Sequence, residues 1–413
     1  MRNDGQSQAP ALSTGRPFGA LIWCAMIVLL VMFSEGFLPR LFASEQEAEG
    51  SSILRLMWFP AYGVILLLAM ARWQVVIKAV GRVPFLVLLL MLCAATTMWS
   101  IEPSITLRRA VAILFTTLFG IVMASHYSWR DMLRLLGLTW AILAVISLLT
   151  SILLPGFGTM TEVHVGAWRG MWWEKNSLGG HMGRAGFLFA VLVFADRPYR
   201  KAWGAAFILA CFLVLMSTSK TAALGLALGI GVLGMGLIIQ RGTRIAIVSI
   251  WFAATIGGAM VMSLVLAPEF VFGLFGREPT LTGRTDIWGA LAYIISERPL
   301  LGYGYGAFWG PHSAPAYWVW VAVEWAAPTA HNGWLEIWLG VGLVGLLLFL
   351  ANYVLTIYRA IIAAFHGWPG LFAAGYLLQF LMFSMSESII FQQNAIIWVT
   401  YVGISVRLAL DRA

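Results

Sequence analysis

The chain has 413 residues, of which 61% are hydrophobic and only 11% are charged, and its mean hydropathy is +0.86. Soluble domains carry about 25% charged residues, so this composition excludes a water-soluble globular protein and indicates that lipid is the main solvent. The formal net charge of +8 agrees with a membrane topology in which basic residues collect on the cytoplasmic side. Nucleic-acid binding is not expected, because the sequence contains no module of interleaved basic and aromatic residues.

Twelve apolar runs have about the length of a transmembrane helix, which needs roughly 17–25 residues. We therefore predict an all-α, polytopic membrane protein with about 12 transmembrane helices. The first run is expected to be a retained span, since it is long for the apolar region of a signal peptide. One long run is divided at the polar sequence STSK, because a single helix of that length would exceed the bilayer core. The predicted spans are 18–38, 54–71, 84–99, 108–125, 133–154, 178–195, 202–217, 220–239, 244–267, 333–357, 369–385 and 390–408.

Charge predicts how these spans are oriented. With a cytoplasmic N-terminus, the inside segments hold most of the 26 basic residues and few of the 18 acidic ones, as the positive-inside rule requires. Both termini are then cytoplasmic. The predicted parts are a cytoplasmic tail (1–17), spans 1–9 (18–267), a long external loop between spans 9 and 10 (268–330) that faces the periplasm and carries an amphipathic helix, and spans 10–12 with a short cytoplasmic tail (331–413).

The first candidate for chemistry is His331, in the sequence PTAHNGWLEIW directly before predicted span 10. An imidazole has an ordinary pKa near 6.5 and can take a proton at neutral pH. The alternative is an interfacial histidine that binds a loop carbonyl. The neighbouring Asn332 can orient the ring or cap the following helix.

Several cations lie on the same predicted face of the membrane as His331. Lys220 begins span 8, where the N-terminus of a helix favours an anion such as phosphate; the alternative is a lysine that snorkels to the surface. Arg284 begins the amphipathic helix, where its charge opposes the helix dipole and favours an anionic partner. Lys175, Arg184 and His181 lie at the entry to span 6.

The remaining candidates have structural alternatives. Glu387, in SESIIFQQN, is either a carboxylate at a helix start or an acid in the site. The sequence GYGYG permits a tight backbone, and a phosphate loop is a weak alternative because no strand precedes it.

The helical spacing of five apolar residues predicts that the amphipathic helix lies in the plane of the membrane interface. The three cysteines are expected to be buried apolar side chains, with no disulfide or metal site. Tryptophans on the outward side predict an aromatic belt, with stacking on sugar rings as the alternative. The spacing that predicts the helix comes from Ile287, Trp288, Leu291, Ile294 and Ile295; the cysteines are Cys24, Cys93 and Cys211; the tryptophans are Trp168, Trp172, Trp173, Trp318, Trp320 and Trp325.

Four motifs occur in an order that resembles the O-antigen ligase and polymerase superfamily of bacterial envelopes. They are EKNSLG at span 6, STSK before span 8, GRTDIW in the external loop, and HN followed by GVGLVG in span 10. With the predicted topology, the resemblance covers most of residues 170–400. It implies a glycosyltransferase in the bacterial cytoplasmic (inner) membrane that acts on a polyprenyl-diphosphate-linked glycan at its outer face.

The resemblance also implies roles for individual residues. His331 matches the family's loop histidine, which activates the acceptor hydroxyl, and Arg284 matches a loop arginine near the donor diphosphate. Lys220 stands where many members carry arginine, which keeps the charge but loses the bidentate fork. Arg184 and Lys175 are further diphosphate ligands, while Asn332 and Glu387 are supporting residues. The expected mechanism inverts the anomeric centre. It needs no nucleotide or other cofactor, because the sugar–diphosphate bond already holds the energy, and no metal is expected, because no cluster of outward-facing carboxylates resembles a metal site.

Three alternatives remain open for the reaction and its partners. The acceptor is either another repeat unit, as in an exopolysaccharide polymerase, or a lipid A-core glycolipid, as in an O-antigen ligase; EKNSLG and the SK pair resemble the polymerases more. The third alternative is a transporter or flippase for lipid-linked polysaccharide, which predicts two similar six-span halves. The expected partners are the lipid-linked donor, a glycan or glycolipid acceptor, membrane lipid and other envelope-polysaccharide assembly proteins.

Overall fold

The computed structural model describes residues 16–42, 52–162, 164–242 and 284–411, with short pieces between 244 and 262. Within these ranges, all regular structure is helical apart from one isolated antiparallel bridge, which confirms the all-α fold class. The helices are α1 (Arg16–Met32), α2 (Phe37–Phe42), α3 (Ser52–Ala71), α4 (Trp73–Gly81), α5 (Pro84–Ala95), α6 (Pro103–His126), α7 (Trp129–Leu153), α8 (Pro155–Gly158), α9 (Lys175–Ala195), α10 (Arg200–Met216), α11 (Lys220–Ile239), α12 (Arg284–Glu297), α13 (Ala314–Val323), α14 (Gly333–Ala364), α15 (Trp368–Ser384) and α16 (Ile396–Leu410).

Seven of the described helices are long and apolar enough to cross a membrane. An eighth span results if α4 and the helical segment Pro84–Met98, which are bent by 92° relative to each other, are counted as one. A polytopic membrane protein is therefore supported, while the count of twelve remains a prediction. Helices also occupy the predicted first, eleventh and twelfth spans, but they have only 17, 17 and 15 residues. Most of the cytoplasmic tail, of predicted span 9 and of the following segment up to residue 283 lies outside the described residues.

The chain forms two compact units. The first comprises residues 1–83, 115–227 and 394–413, and the second comprises residues 84–114 and 228–393. In the first unit, α9 is largely buried and packs against α7 and α10. Glycines on α9 allow the start of α11 to approach closely, since a Cβ at Gly183 would lie 3.0 Å from the Ala222 carbonyl oxygen. Small residues at a helix contact are typical of packing in membranes.

In the second unit, α14 packs against α5 and α15 and is broken at Gly342. Gly342 has φ 70° and ψ −174°, a backbone conformation that is essentially restricted to glycine. A Cβ at this position would lie 2.1 Å from the carbonyl oxygen of Leu300. The break therefore requires glycine both for its backbone conformation and for the close approach of a second segment.

That second segment, residues 299–306, is called the glycine strap here, and it satisfies the backbone at the break. The N–H of Tyr303 donates to the Leu339 carbonyl at 2.8 Å, before the break, and the N–H of Leu343 donates to the Pro299 carbonyl at 2.8 Å, after it. Unsatisfied backbone groups are costly at membrane depth. The strap therefore replaces helical hydrogen bonds that the break removes.

The strap glycines serve this packing. Gly302, Gly304 and Gly306 all have positive φ, at 67°, 104° and 67°. A Cβ at Gly302 would lie 2.6 Å from the Leu339 carbonyl oxygen, and the N–H of Gly304 donates to the Gly340 carbonyl at 3.1 Å. The Cα of Gly302 and the N–H of Gly304 face protein backbone, and the Cα of Gly306 faces the Arg109 side chain. These contacts give no support to a phosphate loop.

The predicted amphipathic helix is present as α12, starting at Arg284. Its apolar side is buried, as predicted, but protein covers it. The prediction that these residues face the membrane interface is therefore wrong. Their apolar partners come from the strap, α13 and the start of α14. The cluster consists of Ile287, Leu291, Ile294, Ile295, Tyr303, Phe308, Ala316, Val319, Ala327, Ala330 and Leu339, with Trp288 packed against it.

Candidate functional site

His331 lies two residues before α14 in a left-handed backbone conformation, with φ 47°. Its ring is partly buried and stacks on Trp325 with 6.3 Å between the ring centroids. Burial, and then the positive charge of Arg284, lower the pKa of His331 from its ordinary 6.5 to about 4. The imidazole is therefore neutral at pH 7 and able to accept a proton.

Ala330, the residue before His331, is hydrogen-bonded through both its N–H and its carbonyl. The N–H of Ala330 donates to Glu336 Oε2 at 2.9 Å, and the carbonyl of Ala330 accepts from Trp288 Nε1 at 2.9 Å. The N–H of His331 itself donates to Thr329 Oγ1 at 3.3 Å. Because a left-handed conformation costs a histidine free energy, these bonds stabilise a geometry that the chain would otherwise leave.

Asn332 caps the helix that follows. Its Oδ1 accepts from the backbone N–H groups of Trp334 at 2.9 Å and Leu335 at 3.3 Å. Of the two roles that the sequence leaves open, these contacts belong to an N-cap. The cap fixes the end of the loop that carries His331.

Arg284 joins the start of α12 to the loop after α15. Its Nη1 donates to the Ser386 carbonyl at 2.6 Å, and its Nη2 lies 3.7 Å from Glu387 Oε1. Both side chains of this ion pair are partly exposed. The second unit thus brings together four predicted site residues: His331, Arg284, Asn332 and Glu387.

Glu336 and Arg109 belong to the same neighbourhood but are not predicted from the sequence. Glu336 accepts from Trp309 Nε1 at 3.0 Å and from Ser388 Oγ at 3.4 Å, in addition to Ala330. Arg109 Nη1 donates to the carbonyl of Gly306 in the glycine strap. Each is an ionisable residue in an apolar helix, and this signal marks both as functional candidates.

The other predicted cations lie in the first unit. Lys175 and Lys220 begin α9 and α11, and Lys175 Nζ donates to Thr218 Oγ1 at 3.2 Å. A Cβ at Gly179 would lie 2.8 Å from the Cβ of Ser219, so the two helix starts are neighbours. Two positive helix ends and two lysines make an environment suited to an anion.

Arg184 and His181 do not line the surface of the first unit. Arg184 is only 3% exposed, and its Nη1 donates to the Gly180 carbonyl at 3.0 Å. His181 is buried and stacks on Trp172, with 4.6 Å between ring centroids. A diphosphate-binding role for Arg184 therefore stays a prediction.

The remaining expectations concern metals and cysteines. In the part of the chain that the structure describes, no three His, Cys, Asp or Glu side chains come together in a way that could hold a metal ion. The three cysteines are free: Cys93 is buried, Cys211 is intermediate and Cys24 is exposed. The predicted burial is wrong for Cys24, because this side of α1 is not covered by protein.

Two comparisons with known proteins bear on this site. Residues 205–350 match the family described as O-antigen ligase. This segment includes Lys220, Arg284, His331 and Glu336. The chain is also 28% identical over 305 residues to the exopolysaccharide production protein ExoQ of Rhizobium meliloti (strain 1021), an alignment that covers 70% of this chain and 67% of the relative.

Both findings agree with the motifs EKNSLG, STSK, GRTDIW and HN. The family match contains three of these four motifs and the loop that the second unit builds around His331. The resemblance is thereby confirmed: residues 205–350 match the O-antigen ligase family, and the chain is similar to a protein of exopolysaccharide production.

Proposed function

We propose that the protein is a membrane glycosyltransferase that polymerises a polyprenyl-diphosphate-linked glycan, of the exopolysaccharide type, at the outer face of the cytoplasmic membrane. Its similarity to a protein named for exopolysaccharide production supports this acceptor class. The observation that carries the proposal is that α12, which begins at Arg284, is hydrogen-bonded through Trp288 to the carbonyl of Ala330, the residue next to His331. A base and a cation are the two groups that this transfer needs.

In the proposed reaction, His331 takes the proton of an acceptor hydroxyl as its oxygen bonds to the anomeric carbon of the donor. The bond from that carbon to the diphosphate oxygen breaks, and polyprenyl diphosphate leaves with the bonding electrons. Arg284 stabilises the developing negative charge. Attack from the side opposite the leaving group inverts the anomeric centre.

Donor binding would also tune the base. The positive charge of Arg284 lowers the pKa of His331, and an anionic diphosphate beside Arg284 would offset that charge. The pKa of His331 would then rise towards the operating pH, where general bases are most effective. The base thus becomes stronger once the donor is bound.

Further residues have proposed supporting roles. The resemblance implies that Lys175, Lys220 and Arg184 are further diphosphate ligands; within the second unit, Asn332 fixes the loop and Glu387 orients Arg284. The protein cations supply the charge stabilisation, so the proposed mechanism uses neither a metal ion nor a cofactor.

An O-antigen ligase is the second candidate, because the family that matches residues 205–350 is described by that activity. It would use the same donor and the same base but transfer the glycan to a lipid A-core acceptor. A transporter or flippase has no comparable support, since it leaves the neutral histidine beside Arg284 without a chemical task.

Mass spectrometry of lipid-linked glycans distinguishes these candidates in cells that carry either the unchanged protein or His331→Ala. We expect His331→Ala to accumulate single lipid-linked repeat units, as loss of a polymerase predicts. Accumulation of long lipid-linked chains would instead identify a ligase. An unchanged lipid pool with normal surface polysaccharide would contradict both, and His312→Ala, an exposed histidine of the same unit, is the matched control.

A further inference from the structure

Glu336 is hydrogen-bonded to the loop of His331 but takes no part in the proposed reaction. It lies in the first turn of α14, and its carboxylate binds three groups from three separate segments. A carboxylate in an apolar helix is costly unless its oxygens are hydrogen-bonded. Its three hydrogen bonds meet this condition, and they connect the carboxylate to the loops around it.

One of the three groups is the backbone of Ala330. The Glu336 carboxylate accepts the Ala330 N–H at 2.9 Å, while Trp288 binds the carbonyl of the same residue. The next residue is His331, with its left-handed backbone. Removing the carboxylate would leave the Ala330 N–H without this acceptor, and the strained conformation at His331 would lose one of its supports.

A second contact reaches the arginine side of the site. Ser388 Oγ donates to Glu336 at 3.4 Å, and the residue before it, Glu387, forms the ion pair with Arg284. One carboxylate therefore contacts both the loop of His331 and the loop that holds Arg284. The third contact, from Trp309 Nε1, fixes the carboxylate itself.

We propose that Glu336 is a positioning residue that holds His331 in place relative to Arg284, through the Ala330 peptide and the Ser388 loop. This inference rests on the proposed function for its catalytic meaning. The geometric part of it, that the carboxylate restrains the histidine loop, is testable without turnover.

The test measures how fast diethyl pyrocarbonate modifies His331, followed by peptide mass spectrometry of the whole purified protein. In Glu336→Ala the loop loses its acceptor, so we expect His331 to react several times faster than in the unchanged protein. The exposed His312 serves as an internal reference, and the buried thiol of Cys93, in the same unit, reports unfolding through its reaction with a maleimide. Glu297→Gln, which changes a carboxylate bound to Tyr303, is the control and should leave the rate unchanged.

Polymer formation in cells is the second readout. A misplacement of about 1 Å can cost roughly 100-fold in rate, so Glu336→Ala should abolish most polymer. Glu336→Gln should restore part of it, because the amide oxygen still accepts the Ala330 N–H. An unchanged reactivity of His331 in Glu336→Ala would overturn the proposal.

Two further outcomes are decisive. If Glu336→Ala unfolds, so that Cys93 also reacts, Glu336→Asp takes its place. Its shorter side chain should still free the loop, and an unchanged rate at His331 would overturn the proposal. If His331→Ala retains full activity while His331 reacts faster in Glu336→Ala, the proposed function fails but the positioning contact stands.

Discussion

At the scale of single residues, the chemistry of the site depends on how the surroundings of His331 change its pKa. Burial and Arg284 lower the pKa of His331 to about 4, so the ring stays neutral through the physiological range. Its neighbour Ala330 is bound through both its N–H and its carbonyl. A neutral ring on a restrained backbone is prepared to accept a proton without reorganisation.

The pH dependence of His331 reactivity tests the role of Arg284. Only the neutral ring reacts with diethyl pyrocarbonate, so the rate at His331 should fall as the pH drops through about 4. In Arg284→Gln the repelling charge is gone and protonation becomes easier, so the midpoint should move up towards 6.5. A midpoint already near 6.5 in the unchanged protein, or no shift in Arg284→Gln, would contradict the electrostatic coupling.

The sequence predicts some of these residue-scale features and misses others for a physical reason. His331, Arg284 and the cap at Asn332 follow from local motifs, and the contacts of the cap are the expected ones. The bond from Trp288 to Ala330 joins residues 42 positions apart, and the bond from Arg284 to Ser386 joins residues 102 apart. Such pairings depend on tertiary packing, which no local pattern encodes.

At the scale of elements, the broken α14 and the glycine strap form one hydrogen-bonded arrangement. Periodicity predicts an apolar helix here and the span is present, but it does not predict the break at Gly342. The reason is that helical pattern reports which side is apolar, whereas the break depends on backbone conformation and on an approaching segment. The same limit applies to α12. Periodicity predicts which side of this helix is apolar, but it does not predict which segments pack on that side.

Replacing Gly342 by alanine tests the importance of this break. The backbone conformation alone should cost about 1–3 kcal/mol, and the Cβ would also clash with the Leu300 carbonyl. We therefore expect a clear drop in the Tm of the purified protein, measured by thermal unfolding in detergent.

Gly289→Ala is the matched control for this substitution. Gly289 lies inside α12, and a Cβ there meets nothing within 4 Å. Alanine should therefore be neutral or stabilise the helix by about 0.5–1 kcal/mol. Equal Tm values for Gly342→Ala and the unchanged protein would contradict a required glycine.

At the scale of the whole molecule, the predicted orientation places the site residues outside the cytoplasm. The structure supports a membrane protein with seven or eight candidate spans, and orientation remains a prediction from charge. The charge pattern can predict sidedness because translocation responds to basic residues. It does not predict how many helices span the membrane, because some of them are too short for a full bilayer crossing.

Cysteine labelling tests this orientation with a matched pair of histidines. His312 and His366 are both exposed and lie on either side of α14 in the sequence. In a background without native cysteines, an impermeant maleimide should label His312→Cys from outside intact cells and His366→Cys only after permeabilisation. The reverse pattern would contradict an outward-facing site.

The role of His331 as the base can be measured as release of polyprenyl diphosphate by purified protein, in liposomes that contain lipid-linked glycan extracted from the producing cells. A general base contributes roughly 10²–10⁴-fold to a rate, so His331→Ala should slow release by about that factor, while His312→Ala should match the unchanged protein. Release by His331→Ala at the rate of the unchanged protein would contradict the assignment of His331 as the base.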